Sequence, residues 1–82
     1  MKVTIVGSHL CEDTLYALCK LKDKDISVDF KNLSTNLSDL KEYLTLREES
    51  KLYEDVRSSG GIGIPCFILE DGTKTLDLNT IL

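Results

Sequence analysis

The sequence predicts an α/β domain built on a four-stranded mixed sheet with flanking helices. Three observations predict it. Strand-like patterns stand at the N-terminus and over residues 26–30, with helical periodicity between them. A second helical stretch follows, and after it a continuous apolar run leads at once into a hairpin signal. A length of 82 residues suits one domain, spanning 1–82. At about this size roughly 60% of the unfolded surface is buried, so each core position counts.

Lys2-Val3-Thr4-Ile5-Val6 is short and β-branched, and Gly7-Ser8 ends it. Leu15, Leu18 and Leu21 then recur at i, i+3 and i+6, and Glu12 and Asp13 stand where a first helical turn favours acids. Ile26 to Phe30 alternates, the pattern of a strand with one buried face. Residues 31–36 are a loop rich in capping residues. Asn36 with Asp39 three positions on predicts a helix start, and Leu37, Leu40 and Leu44 predict its apolar stripe. Thr45-Leu46-Arg47-Glu48 matches a capping box, which predicts a break and restart at Thr45. Leu46, Leu52, Tyr53 and Val56 supply the apolar side of the second piece, which Ser58-Ser59-Gly60-Gly61 stops.

Cys66-Phe67-Ile68-Leu69 reads as a central strand covered on both faces. Asp71-Gly72 signals a hairpin, and Thr73 to Leu76 returns as a polar edge strand. Asp77 to Leu82 leaves room for barely one helical turn, a minimal C-terminal helix. The order is β-α-β-α-β-β. A strand, helix and strand make a right-handed unit with parallel strands, and the later hairpin adds antiparallel ones. This is thioredoxin-fold connectivity in a minimal form.

Ten basic and 14 acidic residues give a net charge of −4, without the basic face that nucleic acid or an anionic membrane requires. The five aromatic residues show no RNA-binding pattern. No apolar run reaches the length of a membrane span or a signal peptide, so the expected location is cytoplasmic. Three cysteines without a secretion signal argue against a disulfide framework. One histidine and no Cys-x-x-Cys pair argue against a zinc site. A reactive thiol and buried apolar cysteines remain as readings.

Cys11 falls in the turn after the first strand, directly before the first helix. A thiol there faces unpaired backbone N–H groups and the positive end of the helix dipole, which favour the thiolate. Glu12 and Asp13, as like charges, oppose it. The bland reading is a cysteine packed beneath the loop. Cys19, beside Leu18, is expected in the core, and too far along the helix to bridge Cys11. Pro65, the only proline, opens the third strand, where it interrupts no ladder, and Gly60-Gly61-Ile62-Gly63 gives a pliable approach suited to a cis bond.

Together, Cys11 after the first strand and Ile64-Pro65 at the third resemble the glutaredoxins of the thioredoxin-like superfamily. The run Gly7-Ser8-His9-Leu10-Cys11-Glu12-Asp13-Thr14 and the segment Gly60-Gly61-Ile62-Gly63-Ile64-Pro65-Cys66 are similar to those of short bacterial glutaredoxin-related proteins. The resemblance implies a glutaredoxin-type fold and a thiol–disulfide oxidoreductase with Cys11 as nucleophile. It implies a cis Ile64-Pro65 bond, with the Ile64 backbone pairing with the substrate's cysteine moiety. Ser8, His9, Leu10, Ile64, Pro65 and Asp77 are its implied substrate- or glutathione-binding positions.

Departures narrow the expectation. Many glutaredoxins carry Cys-Pro-x-Cys, whereas here Thr14 replaces the second thiol; its hydroxyl can donate to a thiolate but cannot resolve a mixed disulfide. The family's lysine three residues before the cysteine is Ser8, and Thr75-Leu76 stands where Gly-Gly precedes the final Asp77. Cys11-Glu12-Asp13-Thr14 also differs from the Cys-Gly-Phe-Ser of the iron–sulfur carriers. The expectation is a monothiol enzyme that reduces glutathione mixed disulfides or protein disulfides. Glutathione would be its co-substrate, with no tightly bound cofactor or metal. Its partners would be small thiols and disulfide-containing proteins, and the chain is expected to be a monomer. His9 either favours the Cys11 thiolate when charged or is a solvated loop residue. Cys66 either packs or serves as the internal resolver. Cys11 is expected to be the most exposed of the three thiols. The alternative function is a non-catalytic thioredoxin-like binding module with a packing cysteine.

Overall fold

Alternation along the two central strands sends side chains into cores on both faces of the sheet. In the computed structural model, which describes residues 1–82, Val3, Ile5 and Phe67 enter one core, and Val6 and Cys66 enter the other. The strands are β1 (Lys2–Gly7), β2 (Ser27–Asn32), β3 (Cys66–Leu69) and β4 (Lys74–Thr75), in the order β2-β1-β3-β4. β2 runs parallel to β1, with Val3 beside Val28, while β3 is antiparallel to both β1 and β4. The result is a small α/β domain with a mixed four-stranded sheet flanked by helices, consistent with a thioredoxin-like architecture.

Helix α1 (Glu12–Lys22) covers the first core, but not with the expected stripe. Thr14, Ala17 and Leu21 are buried, Leu18 is half-buried, and Leu15 is 49% exposed. The phase is set at the strand end. Gly7 has no side chain, and a Cβ there would stand 2.6 Å from Thr14 Oγ1, so the glycine lets Thr14 seat directly on β1. That rotation turns Cys19 outward: it is exposed rather than a core residue. The short C-terminal piece, a 3-10 turn over Leu78–Thr80, lays Leu78 and Ile81 against the same core.

Helix α2 (Leu37–Glu49) starts as the sequence predicts, with the Asn36 side chain accepting from the Asp39 N–H at 3.1 Å. Its expected stripe is displaced too. Leu37 and Leu44 are exposed, while Leu40, Tyr43 and Leu46 face the second core. The expected break at Thr45 is absent, because Thr45 lies inside uninterrupted helix. The break falls at Ser50, whose extended backbone frees its hydroxyl to accept from the Leu52 N–H at 3.2 Å. Arg57 reinforces this corner by donating to the carbonyls of Arg47 and Ser50, at 2.6 and 2.9 Å.

A 3-10 turn (Lys51–Tyr53) and helix α3 (Glu54–Ser59) follow. The helix closes at Gly60 (φ 75°), with Gly61 N–H donating to the Val56 carbonyl and Gly60 N–H to that of Arg57. The following loop enters β3 through the Ile64-Pro65 bond, which is cis as expected. Asp71-Gly72 makes the hairpin between β3 and β4, and β4 is shorter than the expected Thr73 to Leu76. No helix is long and apolar enough to cross a membrane.

Candidate functional site

Three chain segments converge at the C-terminal end of β1. The β1–α1 turn is closed by the Cys11 N–H donating to the Ser8 carbonyl at 3.0 Å. The loop after β2 is tied to it: Leu33 N–H donates to the Gly7 carbonyl at 2.9 Å, and the Ser8 and Ser34 hydroxyls are hydrogen-bonded. The third segment is Gly61 to Ile64. Ser8, Leu10, Cys11, Leu33, Ser34, Ile62, Gly63 and Ile64 together line a groove of 520 Å³.

Cys11 is the N-cap of α1 in an extended conformation (φ −100°, ψ 121°), and its side chain makes no capping hydrogen bond. The N–H groups of Glu12, Asp13 and Thr14 therefore keep their orphan donors beside the thiol. Ile64 faces the groove from β3's approach, and neither its N–H nor its carbonyl is bonded within the chain.

The other expected site residues divide. Ser8 lines the groove but is almost wholly buried, its hydroxyl paired with Ser34 and accepting from the Leu10 N–H at 3.0 Å. It shapes the turn. Leu10 stands out, 76% exposed. His9 is exposed, and its Nδ1 is held by the Asn32 amide at 2.9 Å. Thr14 is fully buried, and its hydroxyl accepts from the Ser8 N–H at 3.4 Å; it makes no hydrogen bond to Cys11. Pro65 lines a neighbouring depression that meets the groove at Ile64. Asp77 caps the last 3-10 turn, accepting from the Asn79 N–H at 3.0 Å.

Residues the motif reading passed over build the loop. Arg47 donates from Nε and Nη2 to the Gly61 carbonyl, at 3.1 and 2.8 Å. The Tyr43 hydroxyl donates to the Ile62 carbonyl, and the Tyr53 hydroxyl to that of Gly63 at 2.6 Å. Three successive carbonyls are thus pinned from α2 and the turn after it. Tyr43 and Arg47, four apart on one helix face, were the available sequence signal.

Cys11 is half-buried and Cys19 exposed, so the expectation that Cys11 is the most exposed thiol is corrected. Burial explains the third. Cys66 is fully buried, and desolvation pushes its thiol above the ordinary 9.0, although Tyr53 and Lys74 pull the other way. Iodoacetamide near neutral pH is expected to label Cys11 and Cys19 in the folded protein, and Cys66 only after denaturation. Peptide mapping checks this, and native labelling of Cys66 would contradict it.

Burial also raises the Tyr53 phenol, with Cys66 beside it, and raises Tyr43 against the opposing charge of Arg47. Above the ordinary values of 9.0 for the thiol and 10.0 for the phenols, the unfolded chain releases protons that the folded chain keeps. Rising pH therefore favours unfolding. Urea midpoints measured at about pH 7, 9 and 10.5 should fall across the last interval, and a flat profile would contradict the buried placement of these groups.

No group of three or more His, Cys, Asp or Glu residues is arranged to hold a metal ion. No protein-family model matches the chain, and no solved structure matches it. An uncharacterized protein of Haemophilus influenzae is 30% identical over 80 residues, covering 98% of this chain and 93% of the relative.

Proposed function

We propose, for a chain that belongs to one family with that Haemophilus influenzae protein, a glutaredoxin-type thiol–disulfide oxidoreductase working through one cysteine. The observation that carries this reading is the shared groove. A half-buried thiol at an uncapped helix N-terminus lies in one depression with the unpaired backbone of Ile64.

In this reading the Cys11 thiolate attacks one sulfur of a substrate disulfide. That S–S bond breaks, a Cys11 mixed disulfide forms, and the departing thiolate takes a proton from water. Glutathione or another small thiol then attacks the substrate-derived sulfur of the adduct, which releases Cys11 as thiolate and leaves that sulfur in a mixed disulfide with the small thiol. The first-turn N–H groups stabilise the thiolate, and the Ile64 N–H and carbonyl align the substrate backbone. Ser8 and Thr14 hold the turn that presents the thiol. Glutathione acts as co-substrate, no cofactor is bound tightly, and Cys66, buried in the second core, takes no part.

The test uses Cys19→Ser protein, which removes the exposed second thiol. Hydroxyethyl disulfide is expected to form one adduct at Cys11, reversed by excess thiol and read by non-reducing mass spectrometry. A Cys11–Cys66 linked peptide with loss of two hydrogens would show a dithiol route. Absence of any Cys11 adduct would favour a non-catalytic binding module.

A further inference from the structure

We infer that the preferred disulfide substrate is a polypeptide, apolar on one side of its cysteine and cationic on the other, rather than the anionic glutathione tripeptide. This rests on the single-cysteine exchange reading and names the substrate class of that site. Two depressions meet at Ile64: the groove that holds Cys11, and a second of 320 Å³ that includes Pro65, Tyr16, Leu78 and Asp13. Asp13 is the one charged side chain lining either.

Glutathione carries a carboxylate at each end against a single ammonium, a net negative charge, and neither depression offers a cationic side chain to meet its carboxylates. His9 is held by Asn32, Lys31 pairs with Glu42 at 3.1 Å, and Arg47 is engaged at the Gly61 carbonyl. The Cys11 side instead presents Leu10 and Ile62, 76% and 60% exposed, as an apolar wall. An extended polypeptide has what these surfaces lack. Its backbone pairs with the free N–H and carbonyl of Ile64, an apolar side chain covers Leu10 and Ile62, and a lysine or arginine meets Asp13. The exchange chemistry is that described above, with a small thiol as the reductant.

The test measures second-order rates of adduct formation at Cys11 in Cys19→Ser protein. Hydroxyethyl disulfide is the uncharged reference. The probes are oxidised glutathione and two matched peptide disulfides with leucine on one side of cysteine and lysine or glutamate on the other, made in both orders. Relative to the reference, the lysine peptide should react about tenfold faster than the glutamate peptide at low salt, and the ratio should shrink as salt screens it. Oxidised glutathione should group with the glutamate peptide. Asp13→Lys should invert the ratio, each protein being read against its own reference rate. A ratio at or below unity in the parent protein, or one that Asp13→Lys leaves unchanged, overturns the inference while the exchange reading stands. A Cys11 inert even to hydroxyethyl disulfide overturns both.

Discussion

Cys11→Ser is expected to lower disulfide-exchange turnover by about a thousandfold or more, because a hydroxyl cannot form the mixed disulfide on which the cycle depends. The same substitution should leave the fold intact and make it somewhat firmer. Cys11 occupies the N-cap of α1 without a side-chain capping bond. Serine is among the preferred N-cap residues, and a capping bond to a first-turn N–H contributes about 1 kcal/mol. Activity and stability therefore move in opposite directions, which separates a catalytic loss from misfolding. Cys19→Ser, on the exposed face of α1, should change neither by much. The measurements are turnover of a mixed disulfide with a small thiol as reductant, and urea midpoints of the three proteins. Retained turnover in Cys11→Ser would remove the basis for the proposed function.

Gly63→Ala is expected to be the most damaging single-atom change to the folded state. Gly63 has φ +71°, a conformation that costs an L-residue about 1–2 kcal/mol. An added Cβ would also stand 2.6 Å from Tyr53 Cε2 and 3.1 Å from Val56 Cγ1. Tyr53 is fully buried and its hydroxyl is bonded to the Gly63 carbonyl, so the ring has no room to give. Strain and overpacking together come to about 2–4 kcal/mol. For a domain of this size that lowers the melting temperature by about 10–25 °C. Tyr53→Phe should give a smaller loss, about 1–3 kcal/mol, by leaving the Gly63 carbonyl without its donor. Thermal melts order the two variants, and an unperturbed Gly63→Ala would contradict the close packing of the loop on Tyr53.

Much of the site was legible because it depends on neighbours in sequence. The Asn36 cap is a contact over three residues, and it formed as expected. Cys11 at the start of α1 is a matter of local order, as is Gly60 at the close of α3. The β-α-β unit and the hairpin likewise appear in the sheet, because a strand–helix–strand crossover sets β1 and β2 parallel and a tight turn sets β3 and β4 antiparallel.

What went astray was rotation about helix axes. In α1 the apolar positions Leu15, Leu18 and Leu21 and the observed Thr14, Ala17 and Leu21 differ by about one residue of phase. Hydropathy favours the first set. The bare strand end at Gly7 favours the second, because Thr14 fits against it and a leucine would not. The same displacement put Cys19 in solvent. In α2 the Thr45 capping box was a valid local signal overridden by continuous helix packed through Tyr43 and Leu46.

Composition, element order and the positions of Cys11 and Pro65 were properties of the chain read along its length, and they were enough to specify the type of sheet and the end of it that carries the thiol. The three-carbonyl clamp of Tyr43, Arg47 and Tyr53 on residues 61–63, the inward turn of Thr14 and Ser8, and the uncharged lining of the groove were decided only in three dimensions. Each joins side chains to backbone far along the chain, from different elements. Such contacts exist only once the cores on both faces have set how the helices sit on the sheet, and no periodicity within one segment encodes that rotation.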